Sequence, residues 1–184
     1  MNSLYHGALA ELGGVFEQLD DKVVDQANDM IAKARKIVVF GGGREKLQIM
    51  GFAMRLYHMG LNAAVEGDMN TPPVRKGDLF IVTVGPGEIS TALALLGVAK
   101  EAGASVLVIT AQPGGRAADY ADLVLHLPAQ TMADDQGEQK TSVLPMGSLY
   151  EGALFVLFEV MVLKLLGKLK INTEAMRANH TNLE

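Results

Sequence analysis

Hydrophobic residues recur at three- and four-residue steps through the first 34 residues, a period typical of amphipathic helices. The spacing predicts one or two helices, broken near Gly13-Gly14 or near Asp20-Asp21. Beyond this segment the period changes to short runs rich in Val, Ile and Leu, and such runs indicate buried strands. The predicted strands are residues 36–40, 62–65, 78–84, 105–110 and 123–127.

Helical patterns alternate with these strands at residues 46–59 and 88–102, and Pro145 opens a further helix that ends near Leu166. This alternation predicts an α/β fold in which helices cover both faces of a parallel sheet. Residues 128–144 are mixed and polar, which predicts a long surface loop. There is no internal repeat, so residues 1–184 are expected to form a single domain, with a helical segment at 1–34, an α/β core at 35–168 and a tail at 169–184.

The last long helix is apolar on nearly all sides, so a membrane span is the first alternative to consider. A span needs about 20 uninterrupted apolar residues, whereas Glu159 and Lys164 interrupt a run of 15 residues at 152–166. Burial against protein therefore explains this helix better. A helix without a polar face does not fit the surface of a monomer, and we expect part of it to pack against another subunit.

Composition narrows the classes of function. Sixteen Lys and Arg residues stand against 21 Asp and Glu residues, a net charge of −5 that argues against a nucleic-acid binder. The chain has no Cys, which excludes disulfides, thiolate metal sites and thiol nucleophiles. The N-terminal residues lack the pattern of a signal peptide, so a cytoplasmic location is expected.

Two glycine-rich loops follow predicted strands, at residues 41–46 and 84–90. Ligands of open parallel sheets bind at the carboxyl ends of the strands, where glycine lets a ligand approach the backbone closely. Glycine is also common in such turns simply because the turn must close, so the pattern alone leaves both interpretations open. Lys46 stands where a dinucleotide fingerprint has its third glycine, and the chain contains no GK[ST] motif, so no nucleotide cofactor is indicated.

Several motifs together resemble the sugar isomerase (SIS) domain, and within that group the chain is most similar to 6-phospho-3-hexuloisomerases. They are Gly-x-Gly-Arg at 41–44, Phe-Ala-Met-Arg-Leu-Tyr-His-x-Gly at 52–60, Gly-Asp-x-x-Thr-Pro at 67–72, Lys-Gly-Asp at 76–78, Gly-x-Gly-Glu at 85–88, Pro-Met-Gly-Ser-Leu-Tyr-Glu at 145–151 and His-Thr-Asn-Leu-Glu at 180–184. The resemblance covers the whole chain. It implies a five-stranded parallel α/β/α sandwich, a homo-oligomer (dimer or tetramer) with sites near subunit interfaces, and isomerisation of a sugar without metal or cofactor.

Aldose-ketose isomerisation needs a base that moves a proton between adjacent carbons through an enediolate. The resemblance assigns this role to Glu151, and it assigns ring opening or proton transfer between the sugar oxygens to His180. Without the resemblance, the favoured interpretation of Glu151 is a first-turn glutamate that stabilises a helix dipole, and that of His180 is a solvated tail residue. The predicted substrate-binding residues are Gly41, Gly43, Arg44, Glu45, Lys46, Thr71, Gly85, Gly87 and Glu88.

One departure from the family pattern bears on the substrate. Family members bind phosphate with hydroxyl groups, and the corresponding positions here are Glu45, Val84, Pro86 and Ile89. A carboxylate suits neutral sugar hydroxyls better than a phosphate dianion. The first hypothesis is therefore an isomerase of a sugar that lacks the usual phosphate.

Three other hypotheses stay open. A sugar phosphate could still bind if Arg44, Lys46 and Thr71 supplied the donors. The chain could instead be a non-catalytic sugar-binding or regulatory module, like the SIS domains attached to transcription factors. A purely structural oligomer is the third alternative.

Overall fold

Five strands form one parallel sheet in the computed structural model, which describes residues 3–183 of the chain. In chain order they are β1 (Ile37–Gly41), β2 (Ala63–Val65), β3 (Leu79–Thr83), β4 (Ser105–Thr110) and β5 (Leu123–His126). Their order across the sheet is β2-β1-β3-β4-β5, and every neighbouring pair is parallel. The predicted α/β fold with a five-stranded parallel sheet is confirmed. From β1 the chain adds β2 on one side, and it then adds β3, β4 and β5 on the other side. The switch point of the sheet therefore lies between β1 and β3.

Helices cover both faces of this sheet. Within residues 3–183 they are α1 (Leu4–Glu17), α2 (Asp21–Lys33), α3 (Glu45–His58), α4 (Ser90–Glu101), α5 (Ser148–Leu169) and α6 (Thr173–Ala178), with short 3-10 helices at Arg116–Tyr120 and Gly137–Gln139. The break between the first two helices lies at Asp20, whose side chain caps α2 by accepting the Lys22 N–H at 3.0 Å. Gly13-Gly14 lies inside α1.

Two boundaries near the C-terminus differ from the sequence prediction. Helix α5 begins at Ser148 because Met146 and Gly147 have positive φ angles of 54° and 74°, which no helix accommodates. It ends at Leu169 rather than near Leu166, and the expected tail contains α6. No helix within the described part of the chain is long and apolar enough to cross a membrane.

Each face of the sheet has its own hydrophobic cluster. Side chains alternate along a strand, so Val39 faces α1, α2, α3 and α5, while Val38 faces α4. Phe52 of α3 and Phe158 of α5 stack with ring centroids 4.5 Å apart and connect the two helices that flank the site. Both faces are covered, which explains why the strands carry continuous runs of Val, Ile and Leu.

The segment 128–144 is exposed over much of its length, as its composition predicts, at residues 132–133, 136–138, 140–141 and 143, but it also contains buried polar residues near both of its ends. Gln130 is buried, its Oε1 accepts the Ser142 N–H at 3.0 Å, and its Nε2 donates to the Asp134 carbonyl at 2.9 Å. Glu11 of α1 accepts hydrogen bonds from the Ser142 hydroxyl and from the Val143 N–H. The polar residues satisfy the loop's own buried backbone, and composition alone does not distinguish this from exposure to solvent.

The loops after β3 and β4 pack against each other through two glycines. A Cβ added to Gly115 would lie 2.6 Å from the Cα of Gly87, whereas a Cβ on Gly114 would meet nothing within 4 Å. We expect Gly115→Ala to lower the free energy of unfolding by about 1–3 kcal/mol, the usual cost of overpacking. Gly114→Ala is the matched control and should leave it nearly unchanged. Urea unfolding of both variants tests this, and equal destabilisation would contradict the packing.

Candidate active site

A cavity of about 180 Å³ lies at the carboxyl ends of β1 and β3, where the switch point predicts a ligand site. Its walls come from the loops after β1 and β3, from the segment after β5 and from the start of α5. The lining residues are Gly42, Gly43, Arg44, Glu45, Pro86, Ile89, Thr131, Met132, Met146, Gly147, Tyr150 and Glu151. Residues distant in sequence therefore meet in one enclosure that holds two carboxyl groups and one guanidinium.

Glu45, the first residue of α3, is buried at the floor of this cavity. Its two carboxyl oxygens accept the Gly85 N–H at 3.0 and 3.2 Å, which joins the loop after β1 to the loop after β3. A Cβ on Gly85 would lie 2.9 Å from both Glu45 Oε1 and the Tyr150 ring, so only glycine allows this approach. Tyr150 closes the back of the site and donates its hydroxyl proton to the Ile109 carbonyl at 2.9 Å.

This environment changes the acidity of Glu45. Burial, which disfavours the charged form, raises the pKa of Glu45 from 4.5 to about 7, and the negative charge of Glu151 adds to this increase. The hydrogen bond from the Gly85 N–H opposes the increase, and the nearby Thr83 hydroxyl acts in the same direction. Both the neutral and the ionised carboxyl are therefore populated near neutral pH.

Glu151, in the first turn of α5, forms an ion pair with Arg44 across the cavity. Arg44 Nη2 lies 3.0 Å from Glu151 Oε2, and the Glu151 side chain is 12% exposed against 64% for Arg44. Burial raises the pKa of Glu151, and the guanidinium acts in the opposite direction. The contact of Oε2 with Arg44 is an ion pair without an aligned hydrogen bond, and no other described residue donates to this oxygen.

Of the sequence-predicted residues, Gly43, Arg44, Glu45 and Glu151 come together at the cavity. Lys46 does not line it, because its ammonium donates to the Glu66 carbonyl at 3.1 Å. The Thr71 hydroxyl lies 2.7 Å from the Val65 carbonyl, also away from the cavity. Glu88 forms an exposed ion pair with Arg116 at 2.9 Å. Gly41, Gly85 and Gly87 shape the loops without lining the cavity themselves.

His180 lies at the other end of α3. Its ring centroid is 5.1 Å from that of His58, the last residue of α3, whereas Arg44 and Glu151 meet at the start of that helix. Helix α3 has 14 residues, which corresponds to a length of about 20 Å. Within one chain, His180 and Glu151 therefore do not meet.

Sequence reasoning missed several residues that line the cavity, among them Tyr150, Thr131 and Met132. Tyr150 was detectable in principle, because it precedes Glu151 within one motif. Thr131 and Met132 carry no such signal. They reach the site because Gly147 has a positive φ and no side chain, and a Cβ there would lie 2.9 Å from the Met132 nitrogen.

The sheet and the cavity define an α/β protein with a cavity that contains charged side chains at its switch point. The family model of the SIS domain matches residues 30–153, and the chain belongs to this family. It is 35% identical to the 3-hexulose-6-phosphate isomerase of Bacillus subtilis, over 96% of this chain and 95% of the relative. It is 32% identical to the enzyme of the same name from Methylomonas aminofaciens, over 100% of both chains.

Among solved structures, the fold is similar to that of a hypothetical protein from Methanococcus jannaschii. The TM-score is 0.83 and the sequences are 26% identical, with coverage of 96% of this chain and 98% of the other. From that crystal structure, a molecular function of 3-hexulose-6-phosphate isomerase was inferred for the protein from M. jannaschii.

The raised pKa of Glu45 predicts a pH-dependent contribution to stability. Between pH 4.5 and about 7 the folded chain binds more protons at this residue than the unfolded chain, so the free energy of unfolding falls as pH rises through this window. The loss is on the order of 3 kcal/mol and is complete above the folded-state pKa. In Glu45→Gln this contribution is absent. Urea unfolding of both proteins from pH 4.5 to 8.5 should show the variant gaining stability relative to the wild type, and parallel curves would contradict the assignment.

Proposed function

We propose that this chain is an aldose-ketose sugar isomerase in which Glu151 moves the proton between adjacent carbons. The observation that carries the proposal is the pairing of a largely buried Glu151 with the Arg44 guanidinium in the cavity at the switch point. Burial makes the Glu151 carboxylate a stronger base than an exposed one. Arg44 holds positive charge next to this base, where it stabilises the negative charge that develops on the enediolate oxygen.

We further propose that the substrate carries no phosphate at the site between the two glycine-rich loops. The Gly85 N–H is already bonded to Glu45, and a second carboxylate, Glu151, lines the same cavity. Lys46 donates to the backbone elsewhere, which leaves Arg44 as the cation of the cavity in residues 3–183. A dianion would meet two carboxyl groups and one guanidinium, whereas sugar hydroxyls donate hydrogen bonds to carboxylates.

A panel of free sugars and their phosphate esters tests the substrate class. We expect the wild type to isomerise a free hexose or pentose with a higher kcat/KM than the corresponding phosphate ester. Glu45→Ser, which removes the charge and supplies a hydroxyl, should shift this ratio toward the ester by at least about tenfold, because like charges close together cost several kcal/mol. The control is Glu101→Ser, at the exposed end of α4, which should not change the ratio. Efficient turnover of a hexulose 6-phosphate by the wild type would contradict the proposal.

The role of Glu151 is tested by Glu151→Gln, which keeps the size of the side chain and removes the base. We expect kcat to fall by about 100- to 10,000-fold, the usual contribution of a general base. Sugar binding, measured by calorimetry, should persist. If the wild type binds sugars but isomerises none of them, the non-catalytic binding module is the better function.

His180 would contribute to such a site only from another subunit, and we propose a homo-oligomer for this reason. An exposed apolar stripe runs along α3 toward His180; its members are Leu47, Met50, Met54 and Tyr57. Phe155 and Leu163 of α5 are also exposed. A second copy of the chain that covered these residues would bury apolar surface that is unusual on a monomer.

Subunit complementation tests this sharing. Glu151→Gln and His180→Asn chains are inactive separately in this scheme, and refolding them together should restore about a quarter of the wild-type activity, because a quarter of the sites receive both intact residues. Co-refolding Glu151→Gln with Glu151→Ala is the control and should restore nothing. Full activity of His180→Asn alone would exclude a catalytic role for His180.

A further inference from the structure

The cavity contains two carboxyl groups in different electrostatic environments, and this difference suggests different roles. Glu151 forms an ion pair with Arg44, whereas Glu45 accepts the uncharged Gly85 N–H. Pairs of carboxyl groups whose surroundings separate their acidities commonly divide acid and base roles between them. The inference below rests on the proposed isomerase activity and concerns the second proton that this reaction must move.

Isomerisation requires a proton transfer between oxygens as well as one between carbons. As the carbon-bound proton leaves, the carbonyl oxygen must gain a proton, and the neighbouring hydroxyl must later lose one. The hydroxyl of Tyr150 is a poor carrier, because burial raises its pKa well above 10 and its proton is bonded to the Ile109 carbonyl. The Thr131 hydroxyl bonds to Asp134. His180 lies at the far end of α3 within one chain, and if another subunit supplies it, ring opening is the role that remains for it.

We propose that Glu45 is the second proton carrier of the site and transfers a proton between the two oxygens of the sugar. In the first half, the Glu151 carboxylate takes the proton from carbon, the C–H electron pair forms the C=C bond, and the carbonyl oxygen takes the proton of the neutral Glu45 carboxyl. In the second half, the Glu45 carboxylate takes the proton of the other hydroxyl, and the oxygen of that hydroxyl becomes the new carbonyl. The electron pair of the C=C bond takes the proton back from Glu151 at the carbon that carried the original carbonyl. Both glutamates end as they began.

The geometry around Glu45 fits both of its protonation states. The Gly85 N–H lies 3.0 and 3.2 Å from the two carboxyl oxygens, so one oxygen accepts this bond whichever of them carries the proton. The groups around Glu45 are Arg44, the N-cap residue of α3, then Thr83 and Gly85 from the β3 side, and Tyr150 and Glu151 from α5. The cation among them is paired with Glu151. The Glu45 pKa of about 7 then supplies both forms near neutral pH.

Glu45→Gln tests the inference, because the amide keeps an oxygen for the Gly85 N–H but does not exchange a proton. With the sugar that the wild type isomerises best, we expect kcat to fall by at least about 100-fold while KM changes less than threefold. The inflection near pH 7 that Glu45 gives to the wild-type kcat/KM profile should disappear. Glu101→Gln is the matched control. If Glu45 only bound a hydroxyl, the variant would raise KM and keep the profile, and this result would overturn the inference.

A second measurement does not depend on activity. Infrared difference spectra of wild type against Glu45→Gln should show the C=O band of the protonated Glu45 carboxyl, and this band should disappear as pH rises, with a midpoint near pH 7. A midpoint below about pH 5, the range of an ordinary glutamate, would overturn the inference without affecting the proposed isomerase activity. An active wild type with an equally active Glu45→Gln variant would overturn the inference and leave the isomerase proposal intact. A wild type that isomerises no sugar would overturn both.

Discussion

The hydrogen bond between the Gly85 N–H and the Glu45 carboxyl is the interaction on which the cavity depends. It joins the first turn of α3 to the loop after β3. It therefore lies at the switch point between β1 and β3. A buried carboxylate is costly unless it is paired, and a buried N–H without an acceptor is costly too. The hydrogen bond supplies the Glu45 carboxyl with a donor and the Gly85 N–H with an acceptor. A side chain at residue 85 would separate them, because its Cβ would lie 2.9 Å from Glu45 Oε1.

The charge balance of the site follows from the start of the same helix. Consecutive residues of a helix point about 100° apart, so Glu45 points to the floor while Arg44 reaches across to Glu151 at 3.0 Å. The guanidinium of Arg44 is therefore paired with Glu151, whereas Glu45 accepts a hydrogen bond from the uncharged Gly85 N–H. The cavity is electrically neutral when Glu45 holds a proton and carries one negative charge when it does not. A neutral polar ligand fits both states better than a dianion does.

The parts of this structure that sequence predicts are those fixed by local patterns. The strands are recognisable because both faces of the sheet are covered, and β4 has the predicted bounds. Long-range contacts escape the same reasoning. Glu11 fixes the segment after β5 from more than 130 positions away. The C-terminal residues attach to the far end of α3, where Asn179 donates to the His58 carbonyl at 3.0 Å. The motif that contains His180 indicates a role but contains no information on which cavity it meets.

The departures from the family pattern lie close together in the structure. Glu45, Pro86 and Ile89 all line the cavity, and Glu45 is bonded to Gly85 of the loop that contains the other two. Pro86 has no N–H, Val84 is fully buried and Ile89 lines the cavity, so these three residues of the loop after β3 offer no polar side chain to an anion. The Gly85 N–H remains, and without a bound anion it would lack an acceptor. Glu45 supplies that acceptor from within the chain. Family membership is carried by the sheet and by motifs along the whole chain, whereas these positions surround the ligand. A relative's name therefore indicates the reaction more directly than it indicates the substituent on the sugar.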